Sequence, residues 1–244
     1  MSRAQKWRNC LMGSPSIIFL LRKSRVYIDK QSTYFDDIHN DLKRTYPLND
    51  FFTDHIIDLS KILNTYAYVN EGMGYAQGMA FIVFALYKTY YEDDPVYAAE
   101  DTFFSFHKLV HVIRPAYPLN PKDIKVIDFN KNITSCVTLL VSTQNTDLAL
   151  KVKELNIVPI FIQQNLPSLF CTKYSVEDCC LLFDFIINKD QFQMFHRILC
   201  IMAGMILSIE AVIMNMNFES ILGIMQNKGC YKIRRVLCHA NSII

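Results

Sequence analysis

Glycine is scarce in this chain, with seven in 244 residues. Turn-dense β architectures need glycine at many corners. With eight prolines and abundant Leu, Ile and Met, the shortage predicts an all-α fold. No Cys-x-x-Cys pair occurs, so the usual zinc spacing is missing. The eight cysteines (Cys10, Cys136, Cys171, Cys179, Cys180, Cys200, Cys230 and Cys238) mostly stand in apolar runs, where the thiol behaves as a small hydrophobe. They are expected to be reduced and buried. Long apolar runs are also lacking. Ile17–Leu21 stops against Arg22, Lys23 and Arg25, too short for a secretion signal. Ile198–Met214 is interrupted by Glu210 and falls short of the ~20 residues of a membrane span, so a buried helix is expected, with a membrane span as the lesser alternative. A net charge of +2 is too small to imply nucleic acid. No repeat, low-complexity tract or flexible linker appears.

The residues that remain suit a globular chain with a sizeable core: 51% are hydrophobic and 20% charged. Hydrophobic periodicity predicts helices over Ser2–Gly13, Tyr27–Thr45, Phe51–Val69, Tyr75–Tyr91 and Val96–Leu109. Gly13-Ser14-Pro15-Ser16 reads as a break, Asn49-Asp50 as a cap, and Arg114–Pro121, with Pro115, Pro118 and Pro121, as a loop. Helical pattern resumes at Lys122 and runs to Val141. Leu148–Leu155, two short pieces in Val158–Phe170, Ser175–Ile187, Phe192–Met214 as one helix or two, and Phe218–Gln226 complete the series. A basic tail with Lys232, Arg234 and Arg235 follows Lys228. The expected organisation is a domain over 1–230, in two helical lobes, and a short tail over 231–244.

Two stretches carry chemistry. Gly72-Met73-Gly74-Tyr75-Ala76-Gln77-Gly78-Met79 holds three of the seven glycines and precedes the apolar run Ala80–Tyr87. Such a turn lets the backbone come close to a partner, and Gln77 offers a donor and an acceptor on one amide. Ile38-His39-Asn40-Asp41-Leu42-Lys43-Arg44-Thr45-Tyr46-Pro47 sets Arg44 at a helix end, because Pro47 disfavours helix at Tyr46. Asp41 is a helical neighbour of Arg44 and can hold it. Taken alone, Arg44 is an ordinary surface cation and Gln77 an ordinary loop residue; together they are expected on one surface. His107 and His111 are four apart but lack a third metal ligand.

These stretches resemble the motifs of the TBC domain, the helical GTPase-activating domain that acts on Rab proteins. Arg-x-x-x-Trp is matched by Arg3 and Trp7. Ile-x-x-Asp-x-x-Arg-Thr is matched by Ile38, Asp41, Arg44 and Thr45. Tyr-x-Gln-Gly-Met is matched by Tyr75, Gln77, Gly78 and Met79. Asp147-Leu148 resembles a later helix opening. Leu182-Phe183-Asp184 stands where the family has Trp-Asp, and Asn165 to Pro167 where it has an aromatic pair. The resemblance implies a GTPase activator that makes no covalent bond itself. Arg44 would be an arginine finger and Gln77 a glutamine finger, supplied in trans to the GTP form of a Rab-family GTPase. Arg3, Trp7, Ile38, Asp41, Thr45, Tyr75 and Gly78 would support them. It implies no cofactor or metal of its own, only the GTP and Mg bound to the partner. A trans-acting arginine is worth about 10³–10⁵ in rate in known GTPases. The implied location is the cytoplasm, with recruitment to endomembranes through the partner, and the addressing signal is expected in the domain, the tail or a binding partner. Two other readings remain open: an inert module of the same fold that binds without acceleration, and a helical metal- or thiol-dependent enzyme.

Overall fold

Leu, Ile, Met and the aromatic residues fall at helical spacing through most of the chain, and helices are what they form. The computed structural model describes residues 1–24, 27–28, 30–117, 124–227 and 229–244. Arg25, Pro118, Pro121, Lys122 and Lys228 lie outside the described residues. Among those described there are fifteen α-helices, three short 3-10 turns and no strand. No described helix is long and apolar enough to cross a membrane. The chain divides into two compact units. One takes in the first seven helices together with residues 187–189, and the other the remaining eight helices.

The first unit contains α1 (Arg3–Leu11), α2 (Pro15–Lys23), α3 (Phe35–Arg44), α4 (Asp50–Asp54), α5 (Ile56–Val69), α6 (Met79–Asp93) and α7 (Ala98–Val112), then a 3-10 turn at Arg114–Ala116. Its centre is α6, whose residues from Met79 to Tyr87 are all buried. Trp7 of α1 meets Tyr90 edge-on at 6.3 Å, and Tyr66 of α5 meets Phe106 of α7 at 4.7 Å. Such aromatic pairs add to the burial that drives folding.

The break read at Gly13–Ser16 falls between α1 and α2, and Pro15 opens α2, where its missing N–H costs nothing. Two sequence expectations are corrected here. The described residues between Tyr27 and Tyr34 are not helical. Their backbone is tied to α5 instead: Ser32 N–H donates to Asn64 Oδ1 at 2.8 Å, Asn64 Nδ2 to the Lys30 carbonyl at 2.9 Å, and Ile28 N–H to Thr65 Oγ1 at 3.3 Å. The helix expected over Phe51–Val69 is two. Asn49 caps the first by accepting from Phe52 N–H at 2.9 Å, and His55 separates it from the second.

A buried ion-pair network joins α1 and α2 to the α6–α7 corner. Asp101, fully buried on α7, accepts from Arg8 Nε at 2.5 Å and from Arg22 Nε and Nη2 at 2.8 and 2.6 Å. Arg8 also pairs with Asp93 at 2.6 Å, and Arg22 with Asp94 at 3.2 Å. The two guanidinium groups lie over the rings of Tyr90 and Tyr97, at 5.1 and 4.7 Å. Buried charges survive only when paired in this way.

The second unit contains α8 (Ile124–Ser142), α9 (Thr146–Glu154), α10 (Ile157–Asn165), two 3-10 turns (Leu166–Ser168 and Cys171–Lys173), α11 (Val176–Ile186), α12 (Gln191–Ser208), α13 (Glu210–Asn215), α14 (Phe218–Gln226) and α15 (Ile233–Ile243). Phe192–Met214 therefore forms two helices, α12 and α13. Ser175 Oγ accepts from Asp178 N–H at 3.2 Å at the start of α11. Phe183, in the Trp-Asp position, is wholly buried. Residues 231–244, read as a tail, are mostly helix α15, which packs on α12 at Gly204; a Cβ there would come within 2.6 Å of the Val236 carbonyl. Val236 and Ala240 face inward, while Lys232, Arg234 and Arg235 are exposed. The cysteines are free thiols. Cys171, Cys179, Cys180 and Cys200 are buried, but Cys136 and Cys238 are exposed and Cys10 and Cys230 partly so, which corrects the expectation of general burial.

Candidate functional site

The end of α3 supplies the first half of the site. Thr45 leaves the helix, and its buried hydroxyl donates back to the Asp41 carbonyl at 2.8 Å. Pro47 disfavours a right-handed Tyr46. Tyr46 instead takes a left-handed φ of 46°, a conformation with a steric cost for any residue bearing a Cβ. Its ring packs against Phe52, Phe81 and Phe84, with centroids at 6.5, 5.0 and 5.3 Å, and this holds the turn. Arg44 is left at the helix end with its side chain 60% exposed.

The glycine-rich turn supplies the second half. The Asn70 carbonyl accepts from the N–H groups of Met73 and Gly74 at 2.8 and 2.7 Å. Gly74 has φ 62°, and a Cβ there would fall 2.2 Å from the Tyr34 ring, so only glycine fits. Gly78, at φ 98°, turns the chain into α6. The helix expected from Tyr75 thus begins at Met79, and Tyr75–Gly78 form a loop. Tyr75 and Gly78 are buried in that loop, and Gln77 between them is exposed.

One carboxylate joins the halves. Asp41 is only 2% exposed. Its Oδ1 accepts from Arg44 Nε at 3.0 Å, and its Oδ2 accepts from Gly78 N–H at 2.9 Å and from the Tyr75 hydroxyl. A buried carboxylate is tolerated when it is hydrogen-bonded, as this one is by three donors. Burial pushes the Tyr75 hydroxyl well above its usual range, and the Asp41 charge and hydrogen bond add to this, so the group stays protonated and donates. The peptide link following Gln77 is anchored by the Gly78 bond, and the Arg44 guanidinium is anchored to the other oxygen of the same group. Arg44 and the loop that carries Gln77 are thus tied to one carboxylate, and both side chains are exposed.

The other sequence-predicted residues fall elsewhere. Ile38 and Trp7 are fully buried core residues. Trp7 contacts Tyr90, roughly 16 Å along α6 from Met79 at the helical rise, and Arg3 lies over the Trp7 ring at 6.0 Å. The first motif is therefore a packing feature of α1, apart from the Arg44–Gln77 surface. Sequence reasoning placed Asp41 beside Arg44 but missed its bonds to Tyr75 and Gly78, which no spacing within α3 could reveal. Among the described residues, no group of three His, Cys, Asp or Glu side chains could hold a metal ion.

This helical fold, with an arginine at a helix end and a glutamine in a glycine-rich turn, defines a class. The family model for the Rab-GTPase-TBC domain matches residues 4–209, and the chain belongs to that family. Among known proteins it is similar to TBC1 domain family member 13 of Homo sapiens, with 27% identity over 194 residues that cover 76% of this chain and 46% of the human protein. The chain thus spans less than half the length of that relative. The crystal structure of the Ypt/Rab-GAP domain of Gyp1p superposes with a TM-score of 0.76 at 16% identity, over 99% of this chain and 86% of that one. At that identity the likeness speaks to the fold.

Proposed function

We propose that the protein accelerates GTP hydrolysis by a Rab-family GTPase, with Arg44 and Gln77 entering the partner's active site in trans. GTP hydrolysis builds negative charge between the β and γ phosphates, and an attacking water must be held in line. A guanidinium stays charged and offers several donors in one plane, which suits the first need. A carboxamide can accept from the water while donating elsewhere, which suits the second. The GTP and its Mg belong to the partner, and this chain contributes no covalent step. The observation that carries the reading is the shared Asp41 carboxylate, which anchors the Arg44 guanidinium and the Gln77 loop at one exposed place. Leu48, four residues beyond Arg44 in the chain, is an exposed hydrophobic residue that would offer a partner apolar area. Membrane association and location would follow the partner.

The test is single-turnover GTP hydrolysis across a set of GTP-loaded Rabs. Arg44→Ala and Gln77→Ala are each expected to remove most of the acceleration while circular dichroism stays native, since both side chains are exposed. Full activity in both variants would refute the assignment. Stable binding of GTP-loaded Rabs with no change in rate for the unaltered chain would favour the inert-module reading.

A further inference from the structure

Helix α2 turns its apolar residues the wrong way for a core element. Ile18 is buried, whereas Ile17, Phe19 and Leu20 are 48%, 58% and 67% exposed. Ile17 and Leu20 are three apart and share one side of the helix, and Phe19 continues the same outward arc. Exposed hydrophobic residues that stand singly in the chain, as Leu48, Ile57, Leu139 and Leu150 do, are ordinary. Three within four residues of one short helix are a patch, and such patches mark contact sites. The helix cannot roll over to hide this face. Its other side is anchored by buried Ile18 and by Arg22, which is paired with Asp94 and Asp101.

The charge around the patch says what covers it. Residues 1–28 hold six Lys and Arg and no Asp or Glu, in a chain whose net charge is only +2. Arg8 and Arg22 are engaged by Asp93, Asp94 and Asp101, but Lys6 and Lys23 are exposed. Lys23 Nζ stands 4.2 Å from the centre of the Phe19 ring, so a cation borders the apolar patch directly. A groove of about 310 Å³ opens beside the same two side chains, lined also by Gln5, Asn9 and Tyr97, and no carboxylate is among its described lining residues. A second exposed apolar run, Met214, Met216 and Phe218, stands instead between Glu210 and Glu219, where a negative surface would be repelled. An apolar helix face bordered by lysine matches a surface that is apolar beneath and negative on top, which is the boundary of an anionic bilayer. Lysine suits that boundary, because its stem lies along apolar area while its ammonium group stays among the headgroups.

We propose that α2 lies on an anionic membrane surface, with Ile17, Phe19 and Leu20 in the acyl boundary and Lys23 at the headgroups. The contact is the chain's own and does not depend on the Arg44–Gln77 reading. The test is co-sedimentation of the full chain with phosphatidylcholine vesicles, with and without phosphatidylserine. Binding is expected to the phosphatidylserine vesicles and to weaken as salt is raised. Phe19→Gln with Leu20→Gln should weaken it at least about tenfold, since fully burying one such side chain is already worth that much. Lys23→Ala should weaken it severalfold. Leu150→Gln, at an exposed leucine of α9, should leave it unchanged. The altered residues are exposed, and thermal melts confirm that the variants fold. In Phe19→Trp the new indole should shift its emission to the blue on phosphatidylserine vesicles, while buried Trp7 supplies a constant background. No binding to the phosphatidylserine vesicles, equal binding without phosphatidylserine, undiminished binding by the double variant, or an unshifted Phe19→Trp emission would overturn the proposal. So would self-association in sedimentation velocity that the double variant abolishes, because the face would then belong to a second copy.

Discussion

At the scale of single residues, Asp41 decides the geometry of the candidate site. Its two oxygens accept from three donors on two separated stretches of chain. In Asp41→Asn the charge is lost, and the one remaining acceptor oxygen cannot serve both Arg44 and the Tyr75–Gly78 pair. Leaving a buried donor without its partner costs about 1–3 kcal/mol. We expect a stability loss of that size in urea unfolding. On the proposed function, the maximal rate of Rab GTP hydrolysis should also fall while the affinity for the GTP-loaded partner is retained, because Asp41 positions the two groups without touching the nucleotide. A rate equal to that of the unaltered protein would separate Asp41 from the activity. Much of this site was legible beforehand. Arg44 at a helix end followed from Pro47, and Gln77 stood in a glycine-rich turn. The link between them was not legible, because hydrogen bonds from Asp41 to Tyr75 and Gly78 depend on how α3 and α6 pack.

At the scale of elements, the buried ion-pair network is not visible in the sequence. Arg8, Arg22 and Asp101 come from three helices, α1, α2 and α7, and no local pattern marks them as partners. Asp101 pairs with two guanidinium groups at once. Its loss leaves a nearly buried Arg8 with only Asp93 to answer its charge. Removing one member of a buried ion pair typically costs about 3–5 kcal/mol. Asp101→Ala should show a loss of that order by chemical denaturation. A change below about 1 kcal/mol would mean that solvent screens the cluster as it does an exposed pair. The same scale explains the misread boundaries. Periodicity extends a helix across Tyr27–Tyr34 because it cannot register that Asn64 and Thr65 of α5 bind that backbone directly.

At the scale of the whole molecule, the all-α class followed from composition, and the family from two short motifs in order. The last helix did not. Residues 231–244 are too basic to suggest a core element, yet Val236 and Ala240 are buried, as the spacing of one helical face allows. α15 lies close to α12 because position 204 has no side chain. Gly204→Leu would place bulk where a Cβ alone would stand 2.6 Å from the Val236 carbonyl and 3.1 Å from the Ala240 nitrogen. Overpacking of this kind costs about 1–3 kcal/mol. The expected result is a lowered melting temperature with faster hydrogen exchange in α15; unchanged exchange there would show that the contact is not needed.

The tether on Arg44 runs through Nε to Asp41, and the side chain is 60% exposed. A long side chain normally surrenders its rotational freedom when it meets a partner, and that surrender is charged against affinity. Here part of it has been surrendered during folding. On the proposed function, the arginine would therefore reach a guest's phosphates with less disorder left to lose than a free surface arginine, and the advantage is entropic, set before any encounter takes place.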